Sequence, residues 1–367
     1  MNPSEALLQI ALTQVPHIGH VHAKALAENF GSASGVFHAP LALLESLEGI
    51  GSVRARAIRN FCNWRSCEAI LRQVQDLGAE TIFITDPRYP RELLRCYDPP
   101  TLLYYRGRMD LQHTRKISIV GTRHHTEYGK QQTETLIRKI AAACPSIISG
   151  MAYGIDGLAH RAALKAGLPT LGILAHGLHT IYPPEHLQLA RDILAAGGGL
   201  LTEFPPGVKP DRFHFPIRNR IVAGLCQVLV VVETGKKGGS MITASLAHGY
   251  HGQVYAIPGR LSDPRSAGCN LLLRQQVASL LQDTEAFLEE LGWATASASI
   301  RQSSLPFNLD PAETILLNLL ETHAIMHIDS FYLLSGLPAG AAAAAILSLE
   351  MRNLIRPLPG KRYQRCI

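Results

Sequence analysis

The stretch Lys116-Ile117-Ser118-Ile119-Val120-Gly121-Thr122-Arg123 decides the fold. Its first five residues form an apolar, β-branched run that predicts a buried strand, and the glycine predicts a tight turn where that strand ends. A helical stretch over residues 127–143 follows, and Ser146-Ile147-Ile148-Ser149-Gly150 predicts the next strand. A strand, a turn and a helix in this order predict one βαβ unit of a parallel sheet.

The same alternation continues along residues 79–291. Further strands are predicted at residues 169–174, 200–204, 228–232 and 253–257, and further helices at residues 157–166, 184–196 and 240–249. Strands that are apolar along their whole length are buried on both faces, which predicts a parallel sheet with helices on each side. The central region is therefore predicted to be an α/β domain with a Rossmann-like, doubly wound sheet.

A smaller module precedes this domain. Residues 1–78 contain an approximate repeat with a spacing of 32 residues, from Ile18 to Ile50, in which an apolar residue and a glycine precede a helix. The repeat predicts a helix-hairpin-helix pair, whose turns present backbone N–H groups to a phosphate, or a plain helical hairpin used for packing. Arg54 and Arg56 make the second copy the better candidate for phosphate contact.

A second small module follows the central domain. Residues 292–306 are rich in Ala, Ser and Thr and predict a linker. Residues 307–367 predict three helices, at residues 311–322, 328–336 and 339–352, and then a small hairpin. Three helices followed by a β-hairpin are typical of a winged helix.

Charge is distributed unevenly over these regions. The chain has 367 residues, of which 47% are hydrophobic and 17% charged, the composition of a folded protein. Its 35 Lys and Arg against 29 Asp and Glu give a net charge of +6. Residues 1–78 and 307–367 are each neutral, so the surplus belongs to residues 79–306. A polyanionic partner is therefore expected at the central domain.

The absence of several sequence features argues against some classes of protein. No apolar run reaches about 18 residues, and the first residues lack the basic start of a signal peptide, so no membrane association is expected. Seven scattered cysteines without a CxxC pair predict a reduced, cytoplasmic protein with no metal. The motifs GxGxxG, GxxxxGK[ST] and GxSxG are absent, so no nucleotide cofactor and no serine nucleophile is expected.

The candidate site lies in the turns at the carboxyl ends of the predicted strands, because ligands of open α/β sheets bind there. Gly121 lets the backbone approach an anion, Thr122 offers a hydroxyl, and Arg123 a guanidinium that suits phosphate. The alternative is an ordinary turn between a strand and a helix.

Small residues also end the second strand, at Ser149-Gly150, and lead into a helix start that favours anions. In that helix Asp156 fits an N-cap, and His160 fits a packed histidine better than a catalytic one.

Basic and aromatic residues alternate in the stretch Phe213-His214-Phe215-Pro216-Ile217-Arg218-Asn219-Arg220. Arginines neutralise phosphates and an aromatic face stacks on a base of any sequence, which is what a single-stranded nucleic acid requires. The alternative places both phenylalanines in the core and makes one arginine structural.

A glycine-rich basic loop follows the strand at residues 228–232. In Glu233-Thr234-Gly235-Lys236-Lys237-Gly238-Gly239-Ser240, the loop leads to a helix start, an arrangement that can hold a phosphate. Glu233 fits either a catalytic carboxylate or one that caps a helix.

The ordered motifs of the central domain resemble the DNA-processing protein A family, also called DprA or Smf. They lie at residues 86–90, 98–100, 119–123, 149–156, 182–186, 215–220, 239–244 and 257–259. The resemblance runs from about residue 80 to 275 and, more loosely, over both flanks. So many motifs in the family's order make it specific.

The resemblance implies an extended Rossmann fold that binds single-stranded DNA. It implies an N-terminal sterile-alpha-motif-like or helix-hairpin-helix module and a C-terminal winged-helix module. It also implies a homodimer, formed through the Rossmann-like domain, that protects incoming DNA and loads the recombinase RecA during natural transformation, past single-strand-binding protein. No catalytic residue and no cofactor belong to this role.

DNA-binding residues carried over by motif are Gly121, Thr122, Arg123, Ser149, Gly150, Arg218, Asn219, Arg220, Gly239 and Ser240. Arg212, Phe215 and Lys237 are added because their charge or ring face suits a nucleic acid strand.

Two other classes of function stay open. A nucleotide-processing Rossmann enzyme similar to the cytokinin-activating phosphoribohydrolases would need a Pro-Gly-Gly-x-Gly-Thr loop and a catalytic Glu on the next helix. The loop here is Gly238-Gly239-Ser240-Met241-Ile242-Thr243-Ala244, and no Glu follows in that helix. A winged-helix transcription factor would need a basic recognition helix, whereas residues 307–367 are neutral.

Overall fold

The computed structural model describes residues 4–294, 309–323, 325–352 and 354–365. The chain divides into two compact units, Met1–Thr295 and Ala296–Ile367. Most of the predicted linker, residues 292–306, lies outside the described residues. The domain borders expected after residues 78, 291 and 306 stay predictions.

The N-terminal module is helical, as expected. Its helices are α1 (Glu5–Gln14), α2 (His20–Phe30), α3 (Ala33–His38), α4 (Leu41–Ser46), α5 (Gly51–Arg59) and α6 (Trp64–Asp76). The two copies of the repeat form the turns between α1 and α2 and between α4 and α5. The buried side chains of these helices belong to the same apolar cluster as one face of the central sheet, so the module packs directly on that sheet.

The central sheet has nine strands. They are β1 (Glu80–Phe83), β2 (Leu102–Gly107), β3 (Lys116–Val120), β4 (Ser146–Ser149), β5 (Thr170–Ile173), β6 (Gly199–Thr202), β7 (Val228–Val231), β8 (Gln253–Ala256) and β9 (Ser279–Leu280). Their order in the sheet is β1-β2-β6-β5-β4-β3-β7-β8-β9. All six predicted strands are confirmed, whereas β1, β2 and β9 were not predicted.

The six predicted strands pair parallel, as expected, whereas the unpredicted β2 adds antiparallel pairs at one edge. β2 pairs antiparallel with both β1 and β6, while the other neighbouring strands of the sheet pair parallel. The cause is the connection between β1 and β2, which contains only the short helix α7 (Arg91–Leu94). A connection without a long crossover helix lets β2 return beside β1 in the opposite direction.

Helices cover both faces of the sheet, as the apolar strands predict. They are α8 (Glu127–Ile140), α9 (Ile155–Lys165), α10 (Leu187–Ala195), α11 (His214–Gly224), α12 (Gly239–Gly249), α13 (Ala267–Arg274) and α14 (Thr284–Glu290). Successive residues of β7 show the two layers: Val228 and Val230 belong to one apolar cluster, and Leu229 and Val231 to the other. An uninterrupted apolar strand is therefore the mark of a doubly covered sheet here.

The second unit is a small winged helix. It contains α15 (Pro311–Thr322), β10 (Ile325–His327), α16 (Ile328–Ser335), α17 (Ala339–Met351), β11 (Ile355–Leu358) and β12 (Arg362–Arg365). The three predicted helices and the hairpin are confirmed, and β10 adds a third antiparallel strand beside β12. Leu316, Phe331 and Leu349 are fully buried and form the centre of a separate core.

Candidate functional site

A cleft of about 720 Å³ opens at the carboxyl ends of β3, β4 and β7. The chain winds from β3 through β4 toward one edge of the sheet and from β3's other neighbour, β7, toward the opposite edge. This reversal is the position at which doubly wound sheets bind their ligands. The amino-terminal ends of α9, α11 and α12 contribute residues to the same cleft, so their helix dipoles favour an anion there.

Eleven of the thirteen predicted site residues line this cleft. They are Gly121, Thr122, Arg123, Gly150, Arg212, Phe215, Arg218, Asn219, Lys237, Gly239 and Ser240. The structure thus brings together residues from four separate turns of the sequence. Their role in binding DNA stays a prediction.

The turn after β3 is held against the end of β7. The N–H of Thr122 donates to the carbonyl oxygen of Glu233 at 2.7 Å, and the Thr122 hydroxyl accepts from the N–H of His124 at 3.2 Å. Gly121 is tightly enclosed, since a Cβ there would lie 2.5 Å from Cγ1 of Ile155. The turn therefore has a fixed backbone, from which the exposed Arg123 side chain extends.

Arg218 is a buried cation at the edge of the cleft. It is 4% exposed, and its Nη1 donates to the carbonyl oxygens of Ile173, at 2.6 Å, and of Gly150. Burial lowers the pKa of the guanidinium to about 10, so it is still charged at neutral pH. These bonds fix the position of the positive charge before any ligand arrives.

Asp156 supplies the charge that compensates Arg218. Its Oδ2 accepts from the N–H groups of Gly150, at 3.1 Å, and Ala152, at 3.4 Å. Burial raises the pKa of this carboxyl group, and the Arg218 guanidinium opposes that shift. The expectation that Asp156 caps α9 is wrong, because Gly154 is the N-cap and Asp156 binds the loop after β4 instead.

The glycine-rich loop places the start of α12 at the cleft. Ser240 Oγ donates to Thr234 Oγ1 at 2.7 Å, and Asn219 Nδ2 donates to the carbonyl oxygen of Gly239 at 3.3 Å. The N–H groups of a first helical turn have no partner within the helix, so this end of α12 suits a phosphate. Lys237 is exposed beside it and adds a positive charge to the cleft lining.

Aromatic rings form one wall of the cleft. The Arg123 guanidinium lies 5.2 Å from the centre of the Phe215 ring, and the rings of Phe215 and Tyr182 lie 5.8 Å apart. Arg212 lies over the ring of Phe213, at 4.7 Å. Sequence reasoning assigned no role to Tyr182, although it begins the motif at residues 182–186. The sequence signal that could have identified Tyr182 is the position of this motif after the predicted strand at residues 169–174.

Two predicted residues lie elsewhere. Ser149 is fully buried and donates its hydroxyl to the carbonyl oxygen of Ile119 at 2.6 Å. Arg220 donates to Glu203 and to the carbonyl oxygen of Asp98. Neither residue lines the cleft, and the hydroxyl of one and the guanidinium of the other are bonded within the protein. Their contact with DNA stays a prediction.

The carboxylate and imidazole considered for chemistry each place one polar atom in a hydrogen bond within the protein. Glu233 is buried, and its Oε2 accepts from the N–H of Thr126, the residue that caps α8. His160 is buried with Nδ1 2.7 Å from Thr170 Oγ1, and burial lowers its pKa to about 3. The packed interpretation of His160 and the capping interpretation of Glu233 are therefore confirmed.

Arg54 acts within the helical module. Its Nε donates to the carbonyl oxygen of His17 at 3.1 Å, and its Nη1 to that of Gly49 at 3.0 Å, so it joins the two repeat turns. This contact favours the packing interpretation for Arg54. The module is also joined to the sheet through His20, whose Nε2 lies 3.2 Å from Oε2 of Glu203.

In the described part of the chain, no group of three or more His, Cys, Asp or Glu side chains could hold a metal ion. Within the same residues, no helix is long and apolar enough to cross a membrane.

The family model described as DNA recombination-mediator protein A matches residues 80–292, which include the sheet and every residue of the cleft. The chain belongs to this family. Models of the DprA winged helix domain and of a helix-hairpin-helix motif match residues 301–361 and 9–71.

Curated relatives extend the match. DNA processing protein DprA of Bacillus subtilis is 42% identical over 242 residues, which are 65% of this chain and 81% of the relative. Protein Smf of a Synechocystis species is 30% identical over the whole length of both chains.

Two solved structures share the fold. DNA processing protein A of Streptococcus pneumoniae has a TM-score of 0.67 and 29% identity, and the match covers 79% of this chain and 99% of that one. DNA processing protein A of Helicobacter pylori, described for its single-stranded DNA binding mode, has a TM-score of 0.53 and 32% identity. That match covers 58% of this chain and 95% of that one.

Proposed function

We propose that this protein binds single-stranded DNA in the cleft at the strand ends. The observation that carries the proposal is the set of four cations on the cleft wall, Arg123, Arg212, Arg218 and Lys237, next to the Phe215 ring. Asp156 and Asp211 are the acidic residues of the lining, so the cleft keeps a positive surplus. The Helicobacter pylori relative, described by its single-stranded DNA binding mode, supports the same ligand.

Cationic and aromatic side chains would contact different parts of a DNA strand. The cations and the start of α12 bind phosphates, which every sequence presents. The ring face of Phe215 stacks on a base, which is worth about 1–3 kcal/mol per base and tolerates all four bases. Duplex DNA hides its bases from such a ring, so we expect preference for single strands without preference for sequence.

The test is fluorescence anisotropy of a labelled oligo-dT with Arg123→Ala. This variant loses one exposed phosphate contact and should bind more weakly, with a salt slope, d log K/d log[salt], that is less steep by about 0.7. Arg191→Ala is the matched control, because Arg191 is an exposed arginine on α10 outside the cleft. Equal affinity and equal slope for the two variants would reject this cleft as the binding site.

We also propose that the bound strand is handed to RecA. The family description, a recombination-mediator protein, supports this role. The protein would act in the cytoplasm as a homodimer formed through the Rossmann-like domain, would protect incoming DNA during natural transformation, and would help RecA past single-strand-binding protein. The measurement is the ATPase rate of RecA on DNA coated with single-strand-binding protein, which should rise with wild-type protein and not with Arg123→Ala. Light scattering after size exclusion tests the dimer.

The proposed role needs no catalytic step. Glu233 and His160, the groups best suited to acid–base chemistry near the strand ends, are buried in contacts with α8 and β5. The rival enzymatic role predicts release of a free base from a nucleoside monophosphate. Nucleoside monophosphates are incubated with the protein, and chromatography of the products decides between the mediator role and the enzymatic role. Release of a free base would overturn the mediator proposal.

A further inference from the structure

The helical module contains a groove of about 470 Å³. The groove lies between the end of α1, the turn before α2, helix α5 and the segment that joins α5 to α6. Among the residues that the structure describes, none lines both this groove and the cleft at the strand ends. Its volume is within the range of about 300–1,000 Å³ that is typical of ligand sites, so a bound ligand can place more than one side chain in it.

Part of the groove is apolar. Pro16, Val53 and Phe61 belong to its lining, and Val53 is 67% exposed although its side chain has no polar atom. The Phe61 ring is half-buried, and its centre lies 5.1 Å from that of Trp64, edge-on, and 6.1 Å from that of Phe37. These ring contacts hold the apolar wall in place before any ligand arrives, which lowers the entropic cost of binding.

The charge of the groove comes from Arg56. Residues 49–67 contain four arginines and no Asp or Glu. Two of the three arginines on α5, Arg54 and Arg59, donate to backbone carbonyl oxygens of the module. The third, Arg56, is exposed in the groove, and its guanidinium has no hydrogen-bond or ion-pair partner among the described residues. The lining includes no described Asp or Glu, so charge complementarity favours a ligand with a carboxylate, which a guanidinium binds with two hydrogen bonds.

Side-chain amides supply neutral hydrogen-bonding groups. Gln14, Asn60 and Asn63 line the groove. Asn63 is the N-cap residue of α6, yet its side chain makes no capping hydrogen bond. An amide side chain carries both donors and an acceptor, so it can pair with the C=O and N–H groups of a peptide backbone.

This combination matches a peptide better than a nucleic acid. Interfaces with DNA are strongly polar and basic, and they place several cations along successive phosphates. The groove instead sets one exposed arginine beside apolar side chains and amides. An extended peptide offers a carboxylate, backbone amides and an apolar side chain within a few residues of each other.

We propose that this groove binds an extended acidic segment of a partner protein. An apolar side chain of the segment packs on Val53 and Phe61, and a neighbouring carboxylate pairs with Arg56. The amides of Asn60 and Asn63 bond the backbone of the segment. The proposal goes beyond DNA binding, because it gives the helical module a protein ligand on a surface separate from the cleft.

The first test selects the ligand from random decapeptides displayed on phage, with the full chain immobilised. The enriched peptides should carry several Asp or Glu residues beside a Leu, Ile, Phe or Trp. Enrichment of basic or uncharged peptides, or of none, would overturn the proposal. The most enriched acidic peptide is then synthesised, labelled and used as the probe in the measurements that follow.

Two exposed thiols place the probe on wild-type protein. Cys62 lines the groove, whereas Cys144 is exposed elsewhere. The peptide at saturation should slow the alkylation of Cys62 by iodoacetamide and leave that of Cys144 unchanged, as followed by mass spectrometry of proteolytic fragments. Equal rates at Cys62 with and without bound peptide would contradict binding in the groove.

Matched variants identify the contacts. In anisotropy titrations Arg56→Glu should weaken peptide binding about tenfold or more, because a hydrogen bond to a charged group is lost. Arg65→Glu makes the same change of charge at an exposed arginine of α6 outside the groove and should have little effect. Val53→Ala should weaken binding about threefold or more through lost apolar contact, whereas Val21→Ala, at a residue 60% exposed on α2, should not.

Equal affinities of Arg56→Glu and Arg65→Glu for the peptide would overturn the proposal. A labelled DNA duplex tests the other class of ligand. If no peptide is selected and Arg56→Glu weakens duplex binding more than Arg65→Glu does, the groove is a surface for nucleic acid, and the peptide proposal is wrong. Binding of oligo-dT in the cleft is measured separately, so neither result bears on it.

Discussion

Replacing Arg218 by Met should destabilise the first unit, and replacing Asp156 by Asn as well should restore much of the loss. Met has a similar volume and no charge, so Arg218→Met leaves the Gly150 and Ile173 carbonyl oxygens without their donor. It also leaves the Asp156 carboxylate, 7% exposed, without its compensating charge. Breaking such a buried arrangement from one side costs about 3–5 kcal/mol.

The double variant removes the second charge as well. The amide oxygen that Asp156→Asn introduces would still accept from the N–H groups that the carboxylate binds, and no ionised group would remain buried without a counter-charge. Replacing both charged partners by neutral ones is far less costly than removing one, so we expect recovery of about 2 kcal/mol. The recovered protein should nonetheless bind oligo-dT weakly, because the fixed cation of the cleft is absent.

Urea denaturation followed by tryptophan fluorescence measures these changes. Both tryptophans, Trp64 and Trp293, lie in the first unit, so the signal reports this unit and not the winged helix. A loss below about 1 kcal/mol for Arg218→Met would show that the guanidinium is not an integral part of the folded cleft. A double variant no more stable than Arg218→Met would show that the carboxylate and guanidinium do not act as a unit.

Gly121→Ala places a methyl group 2.5 Å from Ile155, so thermal unfolding should show a loss of about 1–3 kcal/mol. Phe215→Leu should lose about 1–3 kcal/mol of oligo-dT affinity in anisotropy titrations, whereas Phe213→Leu, outside the cleft lining, should lose much less. Burial lowers the pKa of His160 to about 3, so between about pH 3 and 6.5 the unfolded chain binds this proton and the folded chain does not. The free energy of unfolding measured by urea denaturation should therefore fall by about 1.4 kcal/mol for this residue between pH 7.5 and 5.5, and by less in His160→Gln.

Controls sharpen these measurements. Gly249→Ala, at the end of α12, introduces a Cβ with no atom within 4 Å, so its stability should stay level or rise slightly. If Gly249→Ala loses as much stability as Gly121→Ala, close packing around Gly121 is not the cause of the destabilisation. Equal losses for both phenylalanine variants would argue against stacking on Phe215. An unchanged pH dependence in His160→Gln would assign the acid sensitivity to other groups.

The central fold was predictable because its strands are rich in apolar, β-branched residues and β7 is apolar at every position. Val228–Val231 needs an apolar layer on each side, and only a sheet covered by helices on both faces provides two. β1 and β2 escaped prediction because β1 has only four residues, one of them exposed, and pattern alone does not distinguish such a segment from a loop. The reversed direction of β2 depends on a connection length that becomes informative only once both strands are known.

The site was predictable where glycine and arginine follow a strand, since those residue types imply a turn that faces an anion. The direction in which a side chain leaves a helix was not predictable from the sequence. Arg218 and Arg220 are two positions apart on α11, so they point to different sides, and the sequence pattern treated them alike. Arg218 reaches Ile173 and the cleft, whereas Arg220 reaches Glu203. Tyr182 was missed because its partner, Phe215, is distant in sequence.

The shared carboxylate of Glu203 has a mechanical consequence. It contacts Arg220 of α11 and His20 of α2, so a single side chain ties the helical module to the helix that carries Arg218. A force or a partner that tilts the module would pull on one side of α11 while the cleft lies on the other side. Displacement of the helical module would therefore be transmitted through Glu203 to α11, the helix that carries the buried Arg218 of the cleft.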